Sequence, residues 1–403
     1  MRKLLTCLLV MALLAATVPM TVMPVAAAGI PGDQDGDKIV SEDELVDSIM
    51  AYMKGEYLGE NVEHLDLTEL REVAHIHVYY PRPITDSADR EVTIYKPIKR
   101  SVIFNGEAIE TLASIKATDS IVGVNKYTAG DILQKDRFGD LPSVGSVWGP
   151  DYEALLSLEP DVVFLYASLS ISSCDAIQDT LVNDYHITVI RLDCYLPESY
   201  VEEVQELGYL YEKEEEAEEF IDFYEGFMST IEAEVGDIPE EEKPKVYFEC
   251  YKDYKTAGEG SGWAQKLELA GGNNIFSDVD YYTEIDPETM IARNPEVIIR
   301  VPDYYAGGYD CHDITELSDV REAIMNREEL ANVTAVTNES GHVYILANDF
   351  GGVRHFVGIG YIAKWLYPNK FKELKPQEIH KQYLTEFQGL SGSLVDDGVF
   401  AYP

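Results

Sequence analysis

Basic residues are scarce in this chain: 31 lysines and arginines stand against 73 aspartates and glutamates, a formal charge of −42 over 403 residues. That balance excludes nucleic acid as a partner, because neutralising phosphates takes clustered lysine and arginine. Histidines number only 8, and His186, His312, His342 and His355 are scattered rather than gathered in a loop that could hold a bare ion. No Gly-rich phosphate loop, nucleophile elbow or zinc-protease motif occurs, so no enzyme class is indicated. Long apolar runs are confined to the start, where Arg2 and Lys3 precede an apolar stretch from Leu4 to about Met23 and then Ala26-Ala27-Ala28. This reads as a signal peptide over 1–28, cleaved near Ala28 or retained as an anchor, and implies an extracytoplasmic protein. The whole chain is 46% hydrophobic and 11% aromatic, enough for the cores of two domains.

An acidic segment occupies 29–60. Asp33, Asp35 and Asp37 alternate along it and Glu44 stands at the twelfth place, a spacing that resembles a calcium loop of the EF-hand or dockerin kind. Lys38 stands where such loops carry glycine at the sixth place, and the following hydrophobic residue comes one place early. A solvated acidic spacer is the alternative, and no other cofactor is required.

From Arg71 to Tyr80 the alternation of Val73, His75, His77 and Tyr79 predicts a strand, with a second at Glu91 to Tyr95. Apolar runs at 101–104, 121–124, 161–166 and 187–192 then alternate with helical spacing, which indicates a parallel, helix-covered sheet. Over 199–238 only helical spacing occurs, including Phe220, Tyr224, Phe227 and Ile231 on a helix of about 33 Å. The pattern restarts with runs at 245–250, 297–301 and 343–346 and a closing helix through Phe356 and Trp365. The expected fold is α/β: an N-terminal lobe over 61–198 and a C-terminal lobe over 239–403, each with a parallel sheet, joined by one long helix with a cleft between them.

Several segments carry a family resemblance. They are Leu141-Pro142-Ser143-Val144-Gly145 with Tyr152 to Val163, then Ala270 to Phe276, Asp286 to Ile299, and Gly358 to Phe371. Together, from about residue 85, they resemble the helical-backbone class of periplasmic binding proteins, the family that serves ferric siderophore, haem and cobalamin importers. The resemblance implies a monomeric substrate-binding component of an ABC importer and a non-catalytic role. Its metal-chelate ligand would be an iron chelate, a corrinoid or haem. It also implies that Glu153 and Glu288, one in each lobe, dock on arginines of the cognate membrane permease. A receptor for free metal ions and a two-lobed metal-chelate enzyme remain the alternatives.

In open α/β lobes the ligand meets the loops at the carboxyl ends of the strands. Those loops offer Asn105, Tyr127, Trp148 and Tyr166 in the first lobe. The second offers Tyr251, Tyr254, Trp263, Tyr282, Tyr304, Arg354 and His355. Aromatic faces suit a flat, partly apolar chelate. Lys126, Lys252, Lys255, Arg300 and Arg354 fall on the same loops and predict an anionic one. Cys174, Cys194, Cys250 and Cys311 are disulfide candidates, with pairing expected inside each lobe because a bridge across the cleft would block movement.

Overall fold

The computed structural model describes residues 29–54, 65–303, 306–337 and 341–403; the leader and Tyr304 lie outside the described residues. Helix α1 (Glu42–Met53) starts on a capping box in which Ser41 and Glu44 satisfy each other's amides. Helix α2 (Leu67–Tyr79) occupies the segment expected to be a strand. Asp66 accepts hydrogen bonds from the amides of Thr68 and Glu69, and the Glu69 carboxylate accepts one from the Asp66 amide, so local capping outweighs a short run of alternation. His75 and His77 therefore diverge by about 200° around the helix. His75 meets Glu212 at 2.8 Å, and His77 bonds the carbonyl of Val40 at 2.7 Å.

Strands β1 (Arg82–Asp86) and β2 (Arg90–Ile94) form an antiparallel hairpin. Strands β3 (Ser101–Ile103), β4 (Ile121–Val124), β5 (Val162–Leu165) and β6 (Thr188–Arg191) form a four-stranded parallel sheet in the order β4-β3-β5-β6. Ile103, Phe164 and Ile190 enter one apolar cluster, and Val102, Val163 and Val189 enter another. Both faces are thus buried, which is why these strands read as unbroken apolar runs. Helices α3 (Gly106–Ser114) and α4 (Tyr152–Ser157) complete the parts of this lobe that shape the site.

Helix α5 (Tyr200–Leu210) leads into α6 (Glu214–Val235), the 22-residue connector. Its inward stripe is Ala217, Phe220, Ile221, Tyr224, Phe227, Ile231 and Val235, close to the predicted set. Phe220 packs on Tyr200, Tyr383 and Phe387 at ring distances of 5.1–6.1 Å. Burying a side chain of that size contributes roughly 1.5–3 kcal/mol. The stripe belongs to a single cluster that also holds Ile103 of the first lobe and Ile299 of the second, so the connector is core to both.

The second lobe holds β7 (Lys245–Cys250), β8 (Lys255–Ala257), β9 (Tyr282–Glu284), β10 (Val297–Val301), β11 (Val343–Leu346) and β12 (Ala401–Tyr402). They run in the order β9-β8-β7-β10-β11-β12, with Asn273–Asn274 added beside β7. The sheet is mixed rather than wholly parallel: β7, β10 and β11 are parallel, while β8, β9 and β12 pair antiparallel. The turn between β7 and β8 is too short for the helical crossover that a parallel pair needs. Helices α7 (Gly262–Leu269), α8 (Pro287–Arg293), α9 (His355–Leu366) and α10 (Pro376–Gln382) flank it. Among the described residues no helix is long and apolar enough to cross a membrane.

The four cysteines outside the leader are free and buried, so the expected pairing within each lobe is not made. Cys174 packs with the cluster on one face of the first sheet and Cys194 with the cluster on the other. Cys250 packs in the main core, while the Cys311 thiol donates to the carbonyl of Asp313.

Candidate ligand cleft

The carboxyl ends of β3, β4, β5 and β6 face those of β7, β10 and β11 across a set of direct contacts. Arg354, just ahead of α9, reaches Glu110 of α3 at 3.1 Å and donates to the Tyr309 hydroxyl at 3.1 Å. Tyr383 also donates to Glu110, at 2.8 Å. One turn earlier on α3, the Glu107 carboxylate accepts from Tyr166 at 2.8 Å, and the Glu107 side chain lies against Gly352, where an added Cβ would come within 3.2 Å of its Cγ. Burial raises the pKa of both glutamates.

Aromatic rings mark the mouth of this interface. After β4 the chain forms a small hairpin, Gly145–Ser146 with Gly149–Pro150, held to the strand end by Val144 N–H to Val124 carbonyl at 2.9 Å. Its tip carries Trp148, 63% exposed, and Tyr127 on the neighbouring turn is 55% exposed. From the second lobe comes Tyr281, 43% exposed, packed edge-on to Tyr282 at 4.7 Å, with Tyr251 against Tyr282 at 5.7 Å. Tyr251 and Tyr281 both take left-handed backbone conformations, φ 68° and 47°. Such strain costs roughly 1–2 kcal/mol per residue and gathers at ligand clamps.

Not every predicted residue reaches the cleft. Asn105 is fully buried as the N-cap of α3, accepting from Glu107 N–H and Ala108 N–H while donating to the carbonyls of Leu192 and Asp193. Trp263 is buried, stacked on Phe248 at 5.3 Å. His355 sits in the core, accepting from Tyr224 at 2.9 Å and donating to the Gly352 carbonyl at 3.1 Å; burial drives its pKa well down. The Tyr254 hydroxyl is spent on Glu329, with Arg327 over its ring. Tyr166 and Tyr251 directly follow β5 and β7, Tyr127 and Trp148 lie on loops after β4, and Tyr282 opens β9.

Two residues that sequence reasoning missed lie between the lobes. Tyr195, after β6, shares a 2.6 Å hydrogen bond with Ser168. Its carbonyl accepts from Lys266 of α7 at 3.3 Å, and the Gly262 carbonyl accepts from the same ammonium at 3.1 Å. Burial lowers the Lys266 pKa to about 7, against an ordinary value near 10.4. The folded chain therefore binds fewer protons than the unfolded chain between about pH 7 and 10.4, and stability rises with pH across that window. Lys266→Met is expected to raise the melting temperature at mildly acid pH, with a gain that shrinks toward alkaline pH; calorimetry across that range checks it.

The cations expected to await an anionic ligand are mostly committed. Lys252 pairs with Glu284, and Arg300 lies 2.8 Å from Glu249, which also holds Arg327 at 2.9 Å. Arg354 is engaged by Glu110 as above. Glu153 and Glu288 are exposed in the first turns of α4 and α8, each behind an N-capping aspartate, Asp151 and Asp286.

At the N-terminus the carboxylates of Asp33, Asp35 and Asp37 lie within 4.8 Å of one another. Lys38 adopts φ 74°, supplying the sharp turn without glycine. Glu44 does not join them. Its oxygens accept from the amides of Ser41 at 2.9 Å and Gln34 at 2.7 Å, bonds that hold its pKa down to about 2.

Comparison with known proteins agrees with this geometry. The chain is 22% identical over 302 residues to the uncharacterized ABC transporter substrate-binding lipoprotein YvrC of Bacillus subtilis, covering 73% of this chain and 88% of that one. It is 25% identical over 223 residues to a cobalamin-binding protein of Halobacterium salinarum, covering 54% and 58%. The TroA-like periplasmic binding protein FepB of Veillonella parvula shares the fold, with a TM-score of 0.67 at 22% identity, over 80% of this chain and 99% of that one. The periplasmic binding protein model matches residues 102–350, more than half of the sequence. The chain belongs to the periplasmic binding protein family, the non-catalytic, extracytoplasmic substrate-binding components of ABC importers.

Proposed function

We propose that this protein captures a metal chelate, a ferric siderophore or a corrinoid or haem, and hands it to an ABC permease through Glu153 and Glu288. The observation that carries the reading is the set of exposed rings, Tyr127 and Trp148 on loops of one lobe and Tyr281 on a loop of the other. Rings left in water at a concave boundary supply large contact area at little cost in side-chain order. The name of the Halobacterium relative favours the corrinoid member of the class. The free-ion alternative lacks a ligand set: among the described residues only Asp33, Asp35 and Asp37 gather as metal ligands, far along the chain from the cleft loops. Equilibrium dialysis of the protein against ferric siderophores, haem, cobalamin and bare ions tests it. Saturable uptake of a chelate is expected, and binding of bare ions alone would overturn the reading.

The three N-terminal aspartates form a second, independent site. Carboxylate oxygens at that spacing suit a hard cation such as calcium, which takes six to eight oxygen ligands. Calcium is expected to raise the melting temperature of the full chain with an affinity on the order of 10⁻⁴ M, as in extracellular modules. Asp33→Asn with Asp35→Asn should erase the response, and an unchanged response would rule the site out.

A further inference from the structure

We infer that the cleft selects its chelate by charge, admitting a neutral or cationic complex and turning away an anionic one; this rests on the chelate reading above. The first ground is the fate of the cations. Of the five on the cleft loops, Lys252, Arg300 and Arg354 are in ion pairs with Glu284, Glu249 and Glu110. Recruiting Arg354 to an anion would strand Glu110, which is 3% exposed, and recruiting Arg300 would loosen Glu249, which is fully buried. Stranding the buried Glu110 carboxylate costs more than one new ion pair returns, and Glu249 would be left to Arg327 alone. Lys126 and Lys255 make no ion pair among the described residues, but each already lies over tyrosine rings, Lys126 on Tyr127 at 5.0 Å and Lys255 on Tyr251 at 5.5 Å and Tyr282 at 5.6 Å.

The second ground is a cavity of about 250 Å³ between the lobes, walled by Ile132 on one side and Tyr309 and Asp349 on the other. Asp310 and Glu316 also line it; Asp349 shares Arg354 at 3.7 Å, while neither Asp310 nor Glu316 has an ion pair among the described residues. Its volume falls below the roughly 300 Å³ of a small-molecule pocket, so it accommodates a protruding arm of a chelate rather than the whole. A negative charge beside Asp310 or Glu316 would be repelled, whereas an ammonium or amide arm would be drawn in. The third ground is the exposed rings of Trp148 and Tyr281, whose faces carry negative potential and attract cations.

Equilibrium dialysis with charge-matched pairs tests this. Each chelate class is presented twice: a ferric trihydroxamate with a free amine and with that amine succinylated, and cobalamin with and without one amide hydrolysed to a carboxylate. The neutral or cationic member of the bound class is expected to be held at least about tenfold more tightly, about 1.4 kcal/mol. Asp310→Asn with Asp349→Asn should narrow the gap. Equal or tighter binding of the carboxylated member would overturn the charge inference and leave the chelate reading standing. If no member of either pair binds, nor any ferric siderophore or haem, the chelate reading fails and the inference falls with it.

Discussion

Replacing Glu153 and Glu288 together by alanine is expected to cut ligand uptake roughly 100-fold or more while leaving ligand affinity unchanged. The two side chains occupy matching places: each is exposed, in the first turn of a short helix, one per lobe. Capping does not need them, because Asp151 accepts from Ala154 N–H at 3.0 Å and Asp286 from Glu288 N–H at 2.8 Å. As helix-start charges alone they would contribute roughly 0.3–1 kcal/mol each. As partners of guanidinium groups on a permease each would contribute about 1.5–3 kcal/mol through charge-assisted hydrogen bonds, and the pair together several. Uptake assays in cells or proteoliposomes, run beside dialysis and a melting curve, separate the two roles. Unchanged uptake would show that docking lies elsewhere.

Trp148→Ala combined with Tyr281→Ala is expected to weaken chelate binding by about 30-fold to 1000-fold, or 2–4 kcal/mol, the scale of aromatic anchors in recognition sites. Folding should be little affected, by less than about 1 kcal/mol, because Trp148 is largely and Tyr281 partly exposed and neither belongs to a core cluster. The combination of intact melting and lost affinity distinguishes a contact residue from a packing residue. Trp263→Ala supplies the contrast: that ring is buried against Phe248, so its loss should lower stability first.

The two lobes and their connector were legible because their signals are periodic and continuous. Phe220, Tyr224, Phe227 and Ile231 could lie on one face only as a helix, and strands such as Val162 to Leu165 are apolar throughout because both faces are covered. The segment at 71–80 was misread because four alternating residues imitate a strand, while the deciding Asp66 and Glu69 box lies before them. The site was legible only as a set of loops. Position at a strand end does not tell which way a side chain turns, so Asn105, Trp263 and His355 were expected in the cleft and are spent on capping and packing. Pairing across the lobes, as between Glu110 and Arg354, joins residues far apart in sequence and leaves no local trace. The same holds for Tyr195 and Lys266. Cys174 and Cys194 stay apart because they belong to clusters on opposite faces of the first sheet.

Fluorescence titration tests the central claim most directly, because the chain has three tryptophans and they differ in setting. Trp148 is exposed at the cleft mouth, Trp263 is buried and Trp365 stacks on Tyr344 at 4.8 Å. Chelate binding between the lobes should quench the wild-type protein saturably at micromolar or lower concentration, and Trp148→Phe should lose most of that quenching while dialysis still finds the chelate bound. Quenching that persists undiminished in Trp148→Phe, or a response to bare metal ions and to no chelate, would contradict the account.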